Sequence, residues 1–420
     1  MKHLFLGLFA TACIAAAAQT TDSIPHRAII LSGNPDNPDH RANIATMYSR
    51  ENLAFEDPAS PRFLFLDKKG KVALGIGGYL KAVAMYDFNG AIDNNMFVTN
   101  MIPAPFDPAQ RNRFGATANH STIFLKMVAT DTPLGRVIVY IQTNFSGDGG
   151  NYGLQLKQAY VTVGHLTLGK ARSTFADGPA MAPTVDDQGP SGQVSSKNML
   201  VQYASPSYNG FSWAISAELP SASYTTGAGA RSIAQRFPDI PAYVQYSWAS
   251  GSHVRLSGIL RELSYRDNVQ ASNHFATGWG VQLSAVGSIA GGLGFFGHYT
   301  YGKGISAYVN DLCDEGLDLV PAATDGKLHA PAVAGLTGGL RYDFSSKVFA
   351  TASYSRAQLY KSAEIGPHTY RYGQYVTANV FYNPWGDLRL GLEYIHGTRK
   401  NADGEHGRAN RFEAMVQYSY

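Results

Sequence analysis

Cysteine is nearly absent from this chain. Of 420 residues only Cys13 and Cys313 are cysteines, so no disulfide framework can hold the mature fold. Charge is sparse too: charged residues make up 15% and the formal net charge is +3, too small to argue for nucleic acid or any electrostatically dominated partner. Beyond the first 18 residues no apolar run is long enough for a helix to cross a bilayer. HExxH, CxxC, a P-loop and a GxGxxG in strand–turn–helix context are all missing, and the acidic stretch DLCDEGLD (311–318) lacks EF-hand spacing. No metal and no cofactor is expected.

What the chain does have is glycine and aromatic rings, 44 Gly, 25 Tyr and 21 Phe, the composition of a β-rich exported protein. It opens MKHLFLGLFATACIAAAAQ, with Lys2 and His3, an apolar run from Leu4 to about Ala15, and small residues before Gln19. This pattern reads as a secretory signal peptide over residues 1–18, cut after Ala18. Cys13 does not read as a lipidation site, because Ala10 stands three residues before it in place of a large aliphatic. Residues 19–71 carry five prolines, no heptads and little periodicity, and read as an exposed periplasmic leader with a short helical turn around 43–51.

From Val72 onward short alternating segments follow one another. Seven tight turns carry the Gly, Pro, Asn, Asp or Ser that a reversal needs: 130–135 (TDTPLG), 164–165, 204–210 (ASPSYNG), 249–252, 288–292, 344–346 and 383–387 (NPWGD). Eight longer polar stretches alternate with them, near 89–118, 147–152, 173–196, 220–238, 266–273, 302–330, 361–372 and 398–408. Seven short and eight long connections make sixteen strands. Within them the period is two: Val254, Leu256 and Leu260 oppose His253, Arg255, Ser257 and Arg261, and Leu388, Leu390 and Leu392 oppose Arg389 and Glu393.

The last ten residues, RFEAMVQYSY, make the same point. Phe412, Ala414, Val416, Tyr418 and Tyr420 share one parity, and only Met415 breaks the polar run of the other. In hydrocarbon every backbone N–H and C=O must be paired, so a sheet can span only if it closes. Export, an even strand count, short turns at one end, long loops at the other and a terminal aromatic together predict an all-β, 16-stranded antiparallel transmembrane β-barrel over 72–420, with its last strand zipped to its first. Tyr86, Phe88, Trp213, Trp248, Trp279, Tyr301, Tyr342, Phe344, Trp385 and Tyr394 fit interfacial girdles.

Four stretches carry a family resemblance: GGYLKAVAMYDF (77–88), QLKQAYVTVGHLTLGKARSTFAD (155–177), YGKGISAYVND (301–311) and the run from Leu390 to Tyr420. With them the chain resembles the DcaP-like family of outer-membrane porins. The resemblance implies a trimeric sixteen-stranded channel in the outer membrane of a Gram-negative bacterium and a preference for small organic anions such as dicarboxylates. Family members often carry a helical coiled coil ahead of the barrel, which the leader here does not match. The expected partners are two further copies of the chain, outer-membrane lipid and lipopolysaccharide, the barrel-assembly machinery through the strand ending at Tyr420, and small anionic solutes.

Selectivity in such a channel comes from what narrows and charges it. The third long loop, 173–197, is expected to fold into the lumen and present Asp177, Asp186 and Asp187. Facing positive charge is expected from Lys81, Arg136, Lys157, Arg255, Arg261, Arg341 and Arg389, with Lys170 and Arg172 at the exit of the fifth strand. Lys170 shares phase with Leu166 and Leu168 unless Gly169 marks a bulge. The alternative is an outer-membrane barrel enzyme of phospholipase or protease type. Asn119, His120 and Ser121 are adjacent, but neighbouring strand positions point to opposite faces and could not share a site; His253, His298 and His396 fall on different strands without an obvious serine and acid. A plugged receptor barrel would need about twenty-two strands, more than this chain supplies.

Overall fold

Sixteen antiparallel strands close on themselves in the computed structural model, which describes residues 28–420 except 34–37, 50–52, 59, 70, 91, 93–94, 148–151, 250, 323–326 and 361–364. The predicted signal peptide lies outside the described residues. The first strands are β1 (Ala73–Asn89), β2 (Arg111–Thr117 continued by Thr122–Ala129), β3 (Val137–Gly147), β4 (Gly153–Val163) and β5 (Leu166–Arg172). There follow β6 (Lys197–Ala204), β7 (Phe211–Glu218), β8 (Ile240–Ala249), β9 (Ser252–Asp267), β10 (Ser272–Ala290) and β11 (Leu293–Lys303). The circuit ends with β12 (Ala332–Asp343), β13 (Val348–Leu359), β14 (Tyr370–Tyr382), β15 (Leu388–Asn401) and β16 (His406–Ser419).

All seven predicted tight turns join consecutive strands, and the eight long connections lie at the opposite end of the barrel. Local backbone chemistry explains the turns: Gly291 (φ 56) and Gly292 (φ 86) reverse the chain between β10 and β11 in a conformation that other residues rarely adopt. Closure runs through β16 and β1, with Ser419 opposite Tyr79 and Phe412 opposite Tyr86. At the seam Gly78 N–H donates to Tyr420 O (2.8 Å) and Tyr420 N–H donates to Gly78 O (2.9 Å). The terminal residue is therefore a rung of the sheet, which leaves no open edge there.

The outer surface is apolar. Leu256, Leu260, Val281 and Leu283 are each 46–62% exposed, as a lipid-facing band requires. Aromatic side chains cluster at its two margins. Tyr203 with Trp213 and Tyr342 with Phe344 mark the short-turn end, and Trp279, Tyr301 and Tyr360 mark the long-loop end. Strand lengths are uneven: β9 and β10 run 16 and 19 residues, whereas β5, β6 and β7 run 7, 8 and 8.

The sequence predicts an exposed leader, but its described part is packed against the short-turn end. Helix α1 (Pro38–Met47) buries Ile44 and Met47 against Leu64, Leu66, Ala73 and Val128. Lys126 Nζ donates to the carbonyls of Thr46 and Met47 at the end of the helix, each at 3.0 Å, where a cation is favoured. A short strand, Phe63–Leu66, then pairs with the start of β1, and Arg62 bridges to Asp387 in the β14–β15 turn (2.5 Å). Inside the barrel the third and sixth long loops form a second core: Phe175, Met181, Val194, Ile305, Tyr308, Val309 and Leu312 pack against Ile259, Val333 and Leu359 of the wall.

Candidate functional site

The third long loop, residues 173–196, hugs the inner wall at successive anchor points. At its root Asp177 accepts hydrogen bonds from Ser284 Oγ (2.5 Å) and His253 Nε2 (2.9 Å) and lies 3.6 Å from Arg255, which donates to Ala176 O (3.1 Å). Burial alone would raise this carboxyl, yet Arg255 and His253 outweigh it and hold it at about 2. At the far end Val185 N–H and Asp186 N–H donate to the two oxygens of Glu393 on β15 (2.9 and 3.0 Å). Asp186 in turn accepts from Phe97 N–H (3.0 Å) and the Tyr375 hydroxyl (3.2 Å). Two adjacent carboxylates are thus treated oppositely. Burial keeps Asp186 raised, whereas His120, Lys157 and Lys81 hold Asp187 well below the usual range despite the same burial.

Asp187 reaches the neighbouring strands β1 and β2, meeting His120 Nδ1 at 2.8 Å and Lys81 Nζ at 3.9 Å. Lys81 also donates to Val185 O (2.8 Å). The loop therefore crosses the bore from β9–β10 at its root to β15, β1 and β2 at its far end. The leader turns in from the short-turn end and crosses it: Phe55 packs on Phe381 (5.0 Å) and Phe349 (6.0 Å) with the Arg389 guanidinium over its face (4.8 Å). On the other side Asp57 meets Arg172 (2.8 Å) and Glu56 meets Lys197 (3.0 Å) and Arg172 (3.5 Å). Lys197, Arg172 and Lys157 overcome the desolvation of this crowded spot and lower Glu56 to about 2. A cavity of about 30 Å3 lies among leader, loop and wall, lined by Lys81, Asp187, Met181 and Gln417, and a larger one of about 550 Å3, lined by Glu56, Asp57, Tyr79 and Arg389, adjoins it toward the short-turn end.

Of the residues chosen from sequence, Lys81, Lys157, Arg172 and Asp187 meet at this narrowing, with Asp186 beside it as an anchor. Asp177 and Arg255 meet at the loop root. Arg261 sits elsewhere, fully buried between Asp239 (3.0 Å) and Asp318 (3.1 Å), where it ties the fourth and sixth long loops together. Arg341 pairs with Asp343 (2.7 Å) and, like Arg389, lies toward the short-turn end; Arg136 precedes β3 at that same end and is exposed. Lys170 lies opposite the exposed Met199, on the outer phase of Leu166 and Leu168, and donates to Leu156 O (3.0 Å). Gly169, at φ 129, introduces no shift in pairing, and Arg172, on the same phase, reaches the lumen because it is the last residue of the strand.

Sequence reasoning missed Glu56, Asp57, Lys197, His120 and Glu393. Lys197 closes the third loop in sequence, so its position alone was a signal. His120 was set aside because strand neighbours diverge, but residues 118–121 form a turn that interrupts β2, with Ser121 N–H donating to Ala118 O (3.1 Å). Asn119 and His120 are consequently both buried. His120 lies near a serine and an aspartate, Ser146 (3.1 Å) and Asp187 (2.8 Å), yet both approach the same Nδ1, and Nε2 has no hydrogen-bond partner among the described residues. A relay needs both ring nitrogens, so this cluster is not a hydrolytic triad. No group of three metal-ligating side chains occurs among the described residues.

Known structures share this architecture. The outer membrane channel DcaP of Acinetobacter baumannii superposes with a TM-score of 0.72 at 21% identity, covering 84% of this chain and 99% of that one. An anion-selective porin from Comamonas acidovorans gives 0.53 at 11% identity, covering 83% and 100%, and the outer membrane protein OmpT of Vibrio cholerae, folded in vitro, gives 0.51 at 11%, covering 83% and 98%. At these identities the likeness is one of fold. A search of curated protein sequences gave no match. The sequence profile of the porin subfamily, however, matches residues 74–416, nearly the whole barrel from the start of β1 to within a turn of its last residue. With a closed sixteen-strand tube, an apolar exterior and a loop folded across its bore, the chain belongs to the porin subfamily and is an outer-membrane porin channel.

Proposed function

We propose that this porin passes small organic anions, dicarboxylates among them, down their gradients past the third long loop. The observation that carries the reading is the cationic wall: Lys157, Arg172 and Lys197 converge on one side of the narrowing and Lys81 flanks it from β1, where an anion would meet them in a partly desolvated site that strengthens each interaction. The Comamonas neighbour, described as anion-selective, is consistent with this. On this reading residues 1–18 direct export, the short-turn end and the leader face the periplasm, and the strand ending at Tyr420 engages the barrel-assembly machinery.

A homotrimer fits the low wall. At about 3.3 Å per residue a seven-residue strand such as β5 is roughly 23 Å long and rises less than that along a tilted barrel axis, short of the roughly 25 Å apolar band of a lipid-facing wall. The outward Leu166, Leu168, Met199, Val201 and Ile215 on β5–β7 are suited to being covered by neighbouring copies, leaving the taller β9–β16 wall to lipid and lipopolysaccharide. The test is the reversal potential across a planar bilayer in a KCl gradient. Anion preference is expected, reduced or inverted when Lys81 and Arg172 are replaced by glutamate; cation preference in the unaltered protein would overturn the proposal.

A further inference from the structure

The leader crosses the lumen with its ends on opposite walls. Phe55 is stacked against β13 and β14 through Phe349 and Phe381, and two residues later Asp57 is ion-paired with Arg172 at the end of β5 and accepts from Gln158 Nε2 on β4 (3.4 Å). Between them Glu56 holds Lys197, and its carbonyl accepts from the Tyr79 hydroxyl (3.1 Å). The segment is braced internally as well, since Ala54 N–H donates to Asp57 Oδ2 (2.9 Å) and Asp57 N–H donates to Ala54 O (3.2 Å). Ala54 itself is buried against the inner core of the third and sixth loops. This is a docked segment with an apolar foot, an acidic head and a stabilised turn.

Two features give it a function. It occupies the narrowing, since residues 54–57 span it from Phe349 and Phe381 on one wall to Arg172 and Gln158 on the other. Its two neighbouring carboxylates also sit on the basic groups that an incoming anion would use. We propose that Arg172, Lys197 and Lys157 form a carboxylate site whose resident ligand is the chain's own Glu56–Asp57 pair, so that the leader is a tethered competitive plug. A dianionic solute opens its own path by taking Arg172 and Lys197 from the leader. A monoanion offers one carboxylate for two sites and displaces it poorly. The ligand class is thus a small molecule with two carboxylates spaced as closely as adjacent acidic side chains.

This inference rests on the anion-channel reading, and the experiment separates the two. Single-channel conductance and reversal potential are recorded for the full chain and for the variant Glu56→Gln/Asp57→Asn, with chloride, acetate or succinate present. The unaltered protein is expected to be mostly closed in chloride or acetate and to open as succinate rises. The variant is expected to be open in all three, its open share raised about tenfold for each carboxylate removed. Both proteins should favour anions. Equal open shares in the two proteins, or equal opening by acetate and succinate, overturn the plug while leaving the channel reading intact; cation preference in both overturns the channel reading itself. Should the variant not assemble, the acetate and succinate titrations of the unaltered protein decide alone.

Discussion

Asp177→Asn should loosen the root of the third long loop by about 2 kcal/mol at neutral pH. The figure follows from the ionised Asp177 being favoured by its surroundings: its carboxyl falls from 3.8 to about 2, at about 1.36 kcal/mol for each tenfold change. Asparagine keeps the shape and still accepts from Ser284, so what is lost is charge, chiefly the pairing with Arg255 and His253. The sign is that of a lowered carboxyl: its stabilisation is present above about 3.8 and disappears as pH falls through about 2. Local opening should therefore be on the order of tens of times more frequent in the variant at pH 7. Hydrogen–deuterium exchange of the amides around residues 173–181 in detergent reads this directly. The exchange ratio of variant to unaltered protein should approach one near pH 2. A ratio of one at pH 7, or a ratio that stays high at pH 2, refutes the anchoring role.

Three further outcomes follow from other parts of the barrel. Gly78→Ala drives a methyl into Thr122 O beside the seam with Tyr420; a loss of about 1–3 kcal/mol should lower the temperature at which the folded band disappears on unheated gels, and an unchanged transition would count against a tight seam. Arg411 is fully buried and meets Asp87 at 2.7 and 3.1 Å, so Arg411→Leu alone should cost about 3–5 kcal/mol, whereas Arg411→Leu with Asp87→Asn should recover much of it by removing the orphaned charge; no recovery in assembly yield would refute the pairing. Asp311, in the sixth loop, is raised by burial to about 6 even though Thr99 and Tyr370 donate to it. The folded state then holds its proton more tightly than the unfolded one, so docking of the sixth loop on the first should strengthen as pH falls from about 6 toward 3.8, and limited proteolysis of residues 304–331 should slow at pH 5 relative to pH 7.5.

Much of the barrel was legible because its signals are local. A turn such as NPWGD or a glycine pair announces itself within a few residues, and a period of two survives in every strand whose faces meet different solvents. The site was less legible because it is assembled by contacts over long sequence distances. Arg172 and Lys170 lie two residues apart on one phase, yet only Arg172, at the strand end, reaches the lumen. Arg261 obeys the inward parity of β9 and was chosen for that reason, but parity gives a face and not a depth; Asp239 and Asp318, from two distant loops, take it over. His120 escaped because a four-residue turn inside β2 cancels the alternation on which its exclusion rested. Glu56 and Asp57 escaped because nothing in a proline-rich leader announces where it will dock.

One sequence signal did point to the docking surface. In a membrane barrel the polarity rule is inverted, with apolar side chains outside and polar ones toward water, so an apolar residue on the inner phase needs an occupant to cover it. Met415 was the single misfit of the last strand, and it lies in a patch with Val83, Met85, Phe349 and Phe381, all facing inward and all buried. The covering groups are Val185 of the third loop and Phe55 of the leader. The lumen is thereby divided by chemistry as well as by shape: β1 and β13–β16 offer an apolar seat that holds chain segments in place, and β4–β6 offer the cations. A segment that sits on the first and presents carboxylates to the second must cross between them, which is the path that residues 54–57 take. Replacing Met415 with glutamine should weaken the apolar seat while leaving every ion pair of the cationic wall in place, so a rise in open share for that variant would locate the hold of the leader in its apolar foot, and an unchanged share would locate it in Glu56 and Asp57.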